Sequence, residues 1–228
     1  MTIRVAVVDD QALIRAGFVA LISSTADQEV VGEAADGAAA VELVRSTTPD
    51  VVLMDIRMPG TDGIAATELI CRDPALVDTR ILVLTTFEED EYVVAALKAG
   101  ASGFLGKDVG PIELLDGIRT VAAGEALLSA RATRALIGRF LAQPMVGPGG
   151  APEVLDVLTG REREIVTLVG HGLTNAEIAE QLVVSPLTAK THVNRAMVKL
   201  GVRDRAQLVV VAFQTGLVTV GDARPTER

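Results

Sequence analysis

The first half of the chain alternates two hydrophobic patterns. Short apolar runs at 4–9 (RVAVVD), 29–35 (EVVGEAA), 51–55 (VVLMD), 80–86 (RILVLTT) and 102–107 (SGFLGK) have the length and β-branched content of buried strands. Between them, stretches such as 12–22 (ALIRAGFVALI) and 91–100 (EYVVAALKAG) return apolar residues at helical spacing, and Gly100 suits a helix C-terminus. Strand and helix in alternation imply right-handed crossovers and a parallel sheet covered on both faces. Five strands and five helices fit within about 125 residues at ordinary element lengths.

The pattern then changes. Residues 129–142 (SARATRALIGRFLA) read as a short connecting helix, and 143–152 (QPMVGPGGAP) as a flexible Pro/Gly tether. From residue 159 only helical spacing remains. Thr159 with Glu162, and Thr174 with Glu177, each match a capping box, in which hydroxyl and carboxylate satisfy orphan backbone N–H groups reciprocally. Ser185 followed by Pro186 marks a third helix start, and 205–215 (RAQLVVVAFQT) supplies a fourth helix. The expected boundaries are a first domain over 1–123, a linker over 124–152, an all-α four-helix domain over 153–220 and a tail over 221–228.

Composition adds little until it is divided by region. The 228 residues, 49% hydrophobic and 22% charged, suffice for two globular cores. The N-terminus does not resemble a signal peptide, and no run of about 18 apolar residues occurs, so a cytosolic location without membrane contact is expected. Cys71 has no second cysteine to pair with and reads as a small core residue. Residues 1–130 hold 9 basic and 21 acidic side chains, a net −12, whereas 153–228 hold 9 of each. The acidity therefore belongs to the first domain and does not exclude nucleic-acid binding by the second.

An apolar strand that stops on a carboxylate points to chemistry, because open α/β sheets place their sites beyond the carboxyl ends of the strands. If the first and third strands are neighbours, Asp9, Asp10 and Asp55 converge. Three clustered carboxylates repel one another, and a divalent cation resolves the repulsion. Oxygen-only ligands suit Mg²⁺, which shares its shell readily with phosphate, so Asp55 is the candidate nucleophile for a phosphoryl group. Thr85 and Lys107 close the fourth and fifth strands at the same edge, and offer the hydroxyl donor and positive charge that phosphoryl oxygens require.

The segments VVDD (7–10), LMDIRMPGTDG (53–63), VLTTF (83–87) and GFLGKD (103–108) resemble the receiver domain of bacterial two-component response regulators over roughly residues 2–122. The resemblance implies a flavodoxin-like doubly wound sheet, with Mg²⁺ on Asp9, Asp10, Asp55 and the Arg57 backbone carbonyl. It also implies phosphate transfer to Asp55 from a sensor histidine kinase, Thr85 and Lys107 on the phosphoryl group, and Phe104 at the aromatic switch position. Phosphorylation would then draw Thr85 and Phe104 inward and reshape 86–94. Asp108 stands where many receivers carry Pro, so the turn after the fifth strand need not be a cis-proline turn. A haloacid-dehalogenase-type phosphatase fits poorly, since its nucleophile follows the first strand in a D-x-D arrangement. A dinucleotide site lacks its Gly-rich loop.

In the second domain, 174–184 and 185–202 read as two helices joined by a tight turn, with Ile178, Ala179 and Leu182 on one core face and Leu187, Val193, Met197 and Leu200 on the other. The opposite face of the second helix carries Lys190, Thr191, Asn194 and Arg195, and residues 185–205 hold five cations against Asp204, a local +4. Residues 158–202 resemble the LuxR-type helix-turn-helix. That likeness makes 185–200 the recognition helix, with Lys190, Thr191, Asn194, Arg195, His192 and Lys199 toward double-stranded DNA, and 204–216 a helix of a kind often used for dimer contact. Together the two likenesses are those of the NarL/FixJ architecture. They imply a regulatory protein rather than an enzyme, a homodimer when phosphorylated or DNA-bound, and leave RNA polymerase open as a partner. His171 reads as a helix-end residue. The competing expectation is a phosphorylation-switched adaptor whose helical domain does not bind DNA.

Overall fold

The computed structural model describes residues 2–86, 90–125, 127–128 and 153–218. The expected connecting helix (129–142), the Pro/Gly tether (143–152), residues 87–89 and the 221–228 tail lie outside them. Internal contacts divide the chain into two units, 1–136 and 137–228.

In the first unit the strands are β1 (Ile3–Val8), β2 (Gln28–Ala34), β3 (Val51–Met54), β4 (Arg80–Thr85) and β5 (Gly103–Gly106), each within two residues of the apolar run that announced it. They alternate with α1 (Ala12–Ser23), α2 (Gly37–Thr47), α3 (Gly63–Arg72), α4 (Asp90–Ala99) and α5 (Pro111–Ala122). All pairings are parallel, in the order β2-β1-β3-β4-β5. A sixth strand, β6 (Leu127–Leu128), adds to β5 and places two residues of the expected linker in the sheet. Two residues are too few to show a period of their own, which is why the sequence pattern passed over them.

Both faces of the sheet are covered. Val5, Val7, Leu53, Leu82, Leu84 and Leu105 pack with Ile22 of α1 and with Leu114, Ile118 and Val121 of α5. The alternate residues Ala6, Val8, Val52, Met54, Ile81, Val83 and Phe104 are buried too, while α2, α3 and α4 pack side by side. Burial on both faces explains why the strands read as continuous apolar runs instead of alternating ones. Gly100 ends α4 with φ +112, the left-handed region that glycine enters without a Cβ clash. Gly63 serves close approach instead. A Cβ there would lie 1.9 Å from the Asp55 carbonyl oxygen, so α3 can begin against the end of β3 only without a side chain.

The topology puts a switch point between β1 and β3, because the chain moves one way from β1 to β2 and the other way from β3 onward. Val8 is in register with Met54, and the Asp55 N–H donates to the Val8 carbonyl at 2.9 Å. The next residue on each strand is an aspartate. Thr85 is in register with Gly106, and the Lys107 N–H donates to the Thr85 carbonyl at 3.0 Å.

The described residues of the second unit begin with a 3-10 turn (Glu153–Val157) and continue with α6 (Gly160–Gly170), α7 (Asn175–Gln181), α8 (Pro186–Leu200) and α9 (Arg205–Gln214). Both capping boxes form, at Thr159/Glu162 and Thr174/Glu177, and the Ser185 hydroxyl accepts from the Thr188 N–H. The core gathers Ile165, Val169, Ile178, Val193, Leu208 and Ala212, with Leu182, Met197 and Leu200 packed against it.

Leu187 departs from the expected core. It is 74% exposed, and the buried positions of α8 are Ala189, Val193 and Ala196. Two residues of helix rotate a side chain by about 200°, so a helix that buries Ala189 turns Leu187 outward. Between α7 and α8 the chain turns sharply at Val183, which is 91% exposed and holds φ +53. A β-branched residue in the left-handed region is strained. Val183→Asn should therefore stabilise the second unit by about 1 kcal/mol, since Asn visits this region readily. Thermal unfolding checks this, and a lowered midpoint contradicts it.

Candidate functional site

Asp9, Asp10 and Asp55 each offer a carboxylate oxygen within 4.8 Å of the others. Asp9 and Asp55 are buried at 2% and 4% exposure, while Asp10 faces solvent. Two further bonds fix the buried pair. The Gln11 N–H donates to Asp9 Oδ1 at 2.9 Å, and the Ile56 N–H to Asp55 Oδ1 at 2.8 Å. The remaining oxygen of each meets the same cation: Lys107 Nζ lies 2.6 Å from Asp9 Oδ2 and 2.8 Å from Asp55 Oδ2.

This electrostatic arrangement is under-compensated. Burial pushes the Asp55 carboxyl above its ordinary value, against the pull of Lys107, with the Asp9 charge adding to the rise. Burial works to lower Lys107, but its bonds to Asp55 and Asp9 outweigh that and hold the ammonium above its ordinary value. The two directions are compatible because the ammonium bonds two carboxylates at once, whereas Asp55 is buried and shares that ammonium with Asp9. Three carboxylates converge on one ammonium, with Arg15 donating to the Asp9 carbonyl at 2.7 Å, and these oxygen donors fit a hard divalent cation such as Mg²⁺.

The other residues expected at this edge are present. Thr85 is fully buried at the end of β4, and Phe104 is fully buried within β5, its ring belonging to the core. Arg57 follows β3 by three residues, on the loop leading to α3. Its guanidinium lies 5.9 Å from the centroid of the Tyr92 ring on α4. Asp10, Arg57, Met58, Ile64 and Tyr92 line a cavity of about 470 Å³ beside the acid cluster. Sequence reasoning missed Tyr92; the lone tyrosine of the chain, placed just after the fourth strand, was the available signal.

On α8, Lys190, Thr191, Asn194 and Arg195 are exposed and His192 half-buried, all outside the core stripe. Lys190 and Arg195 make no ion pair among the described residues. Lys199 differs, because its Nζ lies 2.6 Å from Oε2 of the buried Glu162 and ties the C-terminal turn of α8 to the N-terminus of α6. Arg205 donates to Asn175 Oδ1 at 3.0 Å and to the Leu173 carbonyl. Two of the five cations counted in the local +4 thus hold the unit together. Their pairing was hidden from the sequence by separations of 37 and 30 residues. His171 caps the C-terminus of α6, as its sequence position suggested.

A parallel sheet with an acid cluster and a lysine at its switch point, followed by a helix-turn-helix unit, defines a class of switchable regulators. Known proteins agree. The family described as the response regulator receiver domain matches residues 5–119, and that described as bacterial regulatory proteins, luxR family, matches 156–212. The uncharacterized transcriptional regulatory protein YxjL of Bacillus subtilis is 43% identical over 95% of this chain and 97% of its own. The transcriptional regulatory protein LiaR of the same organism is 40% identical over 95% and 99%. The crystal structure of the response regulator ChrA from a heme-sensing two-component system superposes with a TM-score of 0.51 at 34% identity, covering 95% of this chain and 99% of that one. The chain belongs to the two-component response regulators that join a receiver domain to a LuxR-type helix-turn-helix. It is a DNA-binding transcription regulator, not a classical enzyme, and the adaptor alternative finds no support among its relatives.

The Glu162 contacts generate a test of the second unit. Lys199, together with the Thr159 N–H and hydroxyl, holds the Glu162 carboxyl down at about 2, below its ordinary 4.5. A depressed carboxyl stabilises the fold above its unfolded value and loses that contribution as pH falls through the folded one. The unfolding midpoint of the second unit should therefore drop between about pH 4.5 and pH 2. Glu162→Gln should be less stable at neutral pH and show a flatter decline; an identical pH profile would remove the Glu162 contribution.

Proposed function

We propose that Asp55 is the phosphoacceptor of this regulator, receiving its phosphoryl group from the phosphohistidine of a sensor kinase. One observation carries the reading: Asp9, Asp10 and Asp55 lie within 4.8 Å, with Lys107 bridging two of them. An Asp55 oxygen attacks phosphorus, the P–N bond to imidazole breaks, and the imidazole nitrogen leaves with the electron pair. Lys107 exchanges its contact with the Asp55 carboxylate for one with a phosphoryl oxygen, and the Thr85 hydroxyl donates to another. Asp9, Asp10, Asp55 and the Arg57 carbonyl would hold Mg²⁺, which when bound supplies charge compensation for the transferring group. The same residues assist hydrolysis of the acyl phosphate. Phe104 lies within β5 opposite Val83, two residues before Thr85 along β4, so a shift of Thr85 would be passed to it.

The α8 face formed by Lys190, Thr191, Asn194, Arg195 and His192 reads duplex DNA, with Lys190 and Asn194 toward base edges and Arg195 and His192 toward phosphate. Lys199 contributes positive charge while bonded to Glu162. We place the receiver at 1–123, with β6 added to its sheet from the linker, and the DNA-binding domain at 153–220, with the protein acting in the cytoplasm beside its DNA and as a homodimer on it. RNA polymerase is a natural further partner for a transcription regulator. Among the described residues no helix is long and apolar enough to cross a membrane.

Asp55→Asn should abolish labelling by a radioactive small acyl phosphate in Mg²⁺ with the receiver still folded; retained labelling would move the acceptor elsewhere. Lys190→Ala with Asn194→Ala should erode discrimination between a selected duplex and random duplex by about 1–3 kcal/mol per lost base contact. Equal discrimination by that variant would reassign the reading residues.

A further inference from the structure

We propose that Leu187 reads thymine through its C5-methyl group, an inference resting on the assignment of the exposed α8 face to the major groove. Leu187, Thr191, Asn194 and Val198 recur at steps of four, three and four residues, which is one face of the helix, with Lys190 beside them. From Leu187 to Asn194 the helix rises about 10 Å, or roughly three base-pair steps.

An exposed leucine is ordinary on a protein surface. This one is distinguished by its place. It sits in the first turn of α8, 74% exposed, one turn before Lys190 and Thr191 and two before Asn194. In helix-turn-helix docking the N-terminal residues of the recognition helix are the ones that contact base edges.

The local polar groups are already engaged. The Ser185 hydroxyl accepts from the Thr188 N–H at 3.0 Å and lies 2.8 Å from the Thr188 hydroxyl. The Thr191 hydroxyl donates to the Leu187 carbonyl at 2.8 Å. These bonds hold the first turn rigidly and leave the Leu187 side chain as a large apolar group presented beside the donors of Lys190 and Asn194. In the major groove the apolar feature that distinguishes one base from the others is the thymine methyl. Packing against deoxyribose is the other apolar contact open to it, and it would carry no base preference.

The experiment selects duplexes from a random pool with the full chain, then resynthesises the recovered sequence with deoxyuridine replacing each thymine in turn. Uracil keeps every hydrogen-bonding group and lacks only the methyl. For the wild type, at least one replacement should weaken binding about fourfold, the worth of one buried methyl. The same replacement should leave Leu187→Ala unchanged, and the exposure of Leu187 means that this variant should unfold at the wild-type temperature. Replacements silent in the wild type, equal penalties in both proteins, or a recovered sequence without thymine would overturn the inference while leaving DNA reading by α8 intact. Recovery of no preferred sequence would overturn the DNA-reading assignment itself, and the inference with it.

Discussion

Mutual repulsion among carboxylates is the constraint around which the receiver is arranged. Two aspartates follow directly on strands that end together, in register, and a third stands beside them at the solvent edge. Taken from water without compensation, such charges would neutralise by protonation or open the edge of the sheet. Lys107 supplies one positive charge, delivered by a backbone that Thr85 holds through the β4–β5 register. A single ammonium is shared by two buried acids, and the third carboxylate of the cluster faces solvent.

Nearby packing serves that edge. Gly63 lets α3 start against the Asp55 carbonyl, and the Ile56 N–H turns one Asp55 oxygen inward, leaving the other for Lys107. Arg57 and Tyr92 join the loop after β3 to α4 next to the acid cluster. A change at Asp55 thus has a short physical route to α4 through the loop and to β4 through Thr85. In the second unit the equivalent organising contact is Glu162, which completes a capping box and holds Lys199. It seats the C-terminal end of α8 while Lys190, Thr191, Asn194 and Arg195 remain in solvent.

Much of this was legible in the sequence, for reasons that can be named. Strands buried on both faces appear as unbroken apolar runs, so their ends, and the acids placed on those ends, could be located within two residues. Capping boxes are local, and Thr159/Glu162 and Thr174/Glu177 announced two helices directly. Some of what escaped notice was too short or too distant. β6 has two residues; Lys199 and Arg205 find partners 37 and 30 positions away. Leu187 was misplaced because a helix with both Leu187 and Ala189 can bury only one of those two positions, and the smaller residue took the core. The left-handed turn at Val183 could not be anticipated from a residue type that ordinarily avoids it.

The most direct test is the thermal unfolding of the full chain in increasing Mg²⁺ against NaCl of matched ionic strength. A cation bound by the folded acid cluster and not by the unfolded chain stabilises by mass action, about 2.7 kcal/mol at one hundred times its dissociation constant. The receiver transition should climb with Mg²⁺ alone, and Asp9→Asn should remove the climb. A transition that follows ionic strength and ignores the identity of the cation would contradict a Mg²⁺ site at the acid cluster.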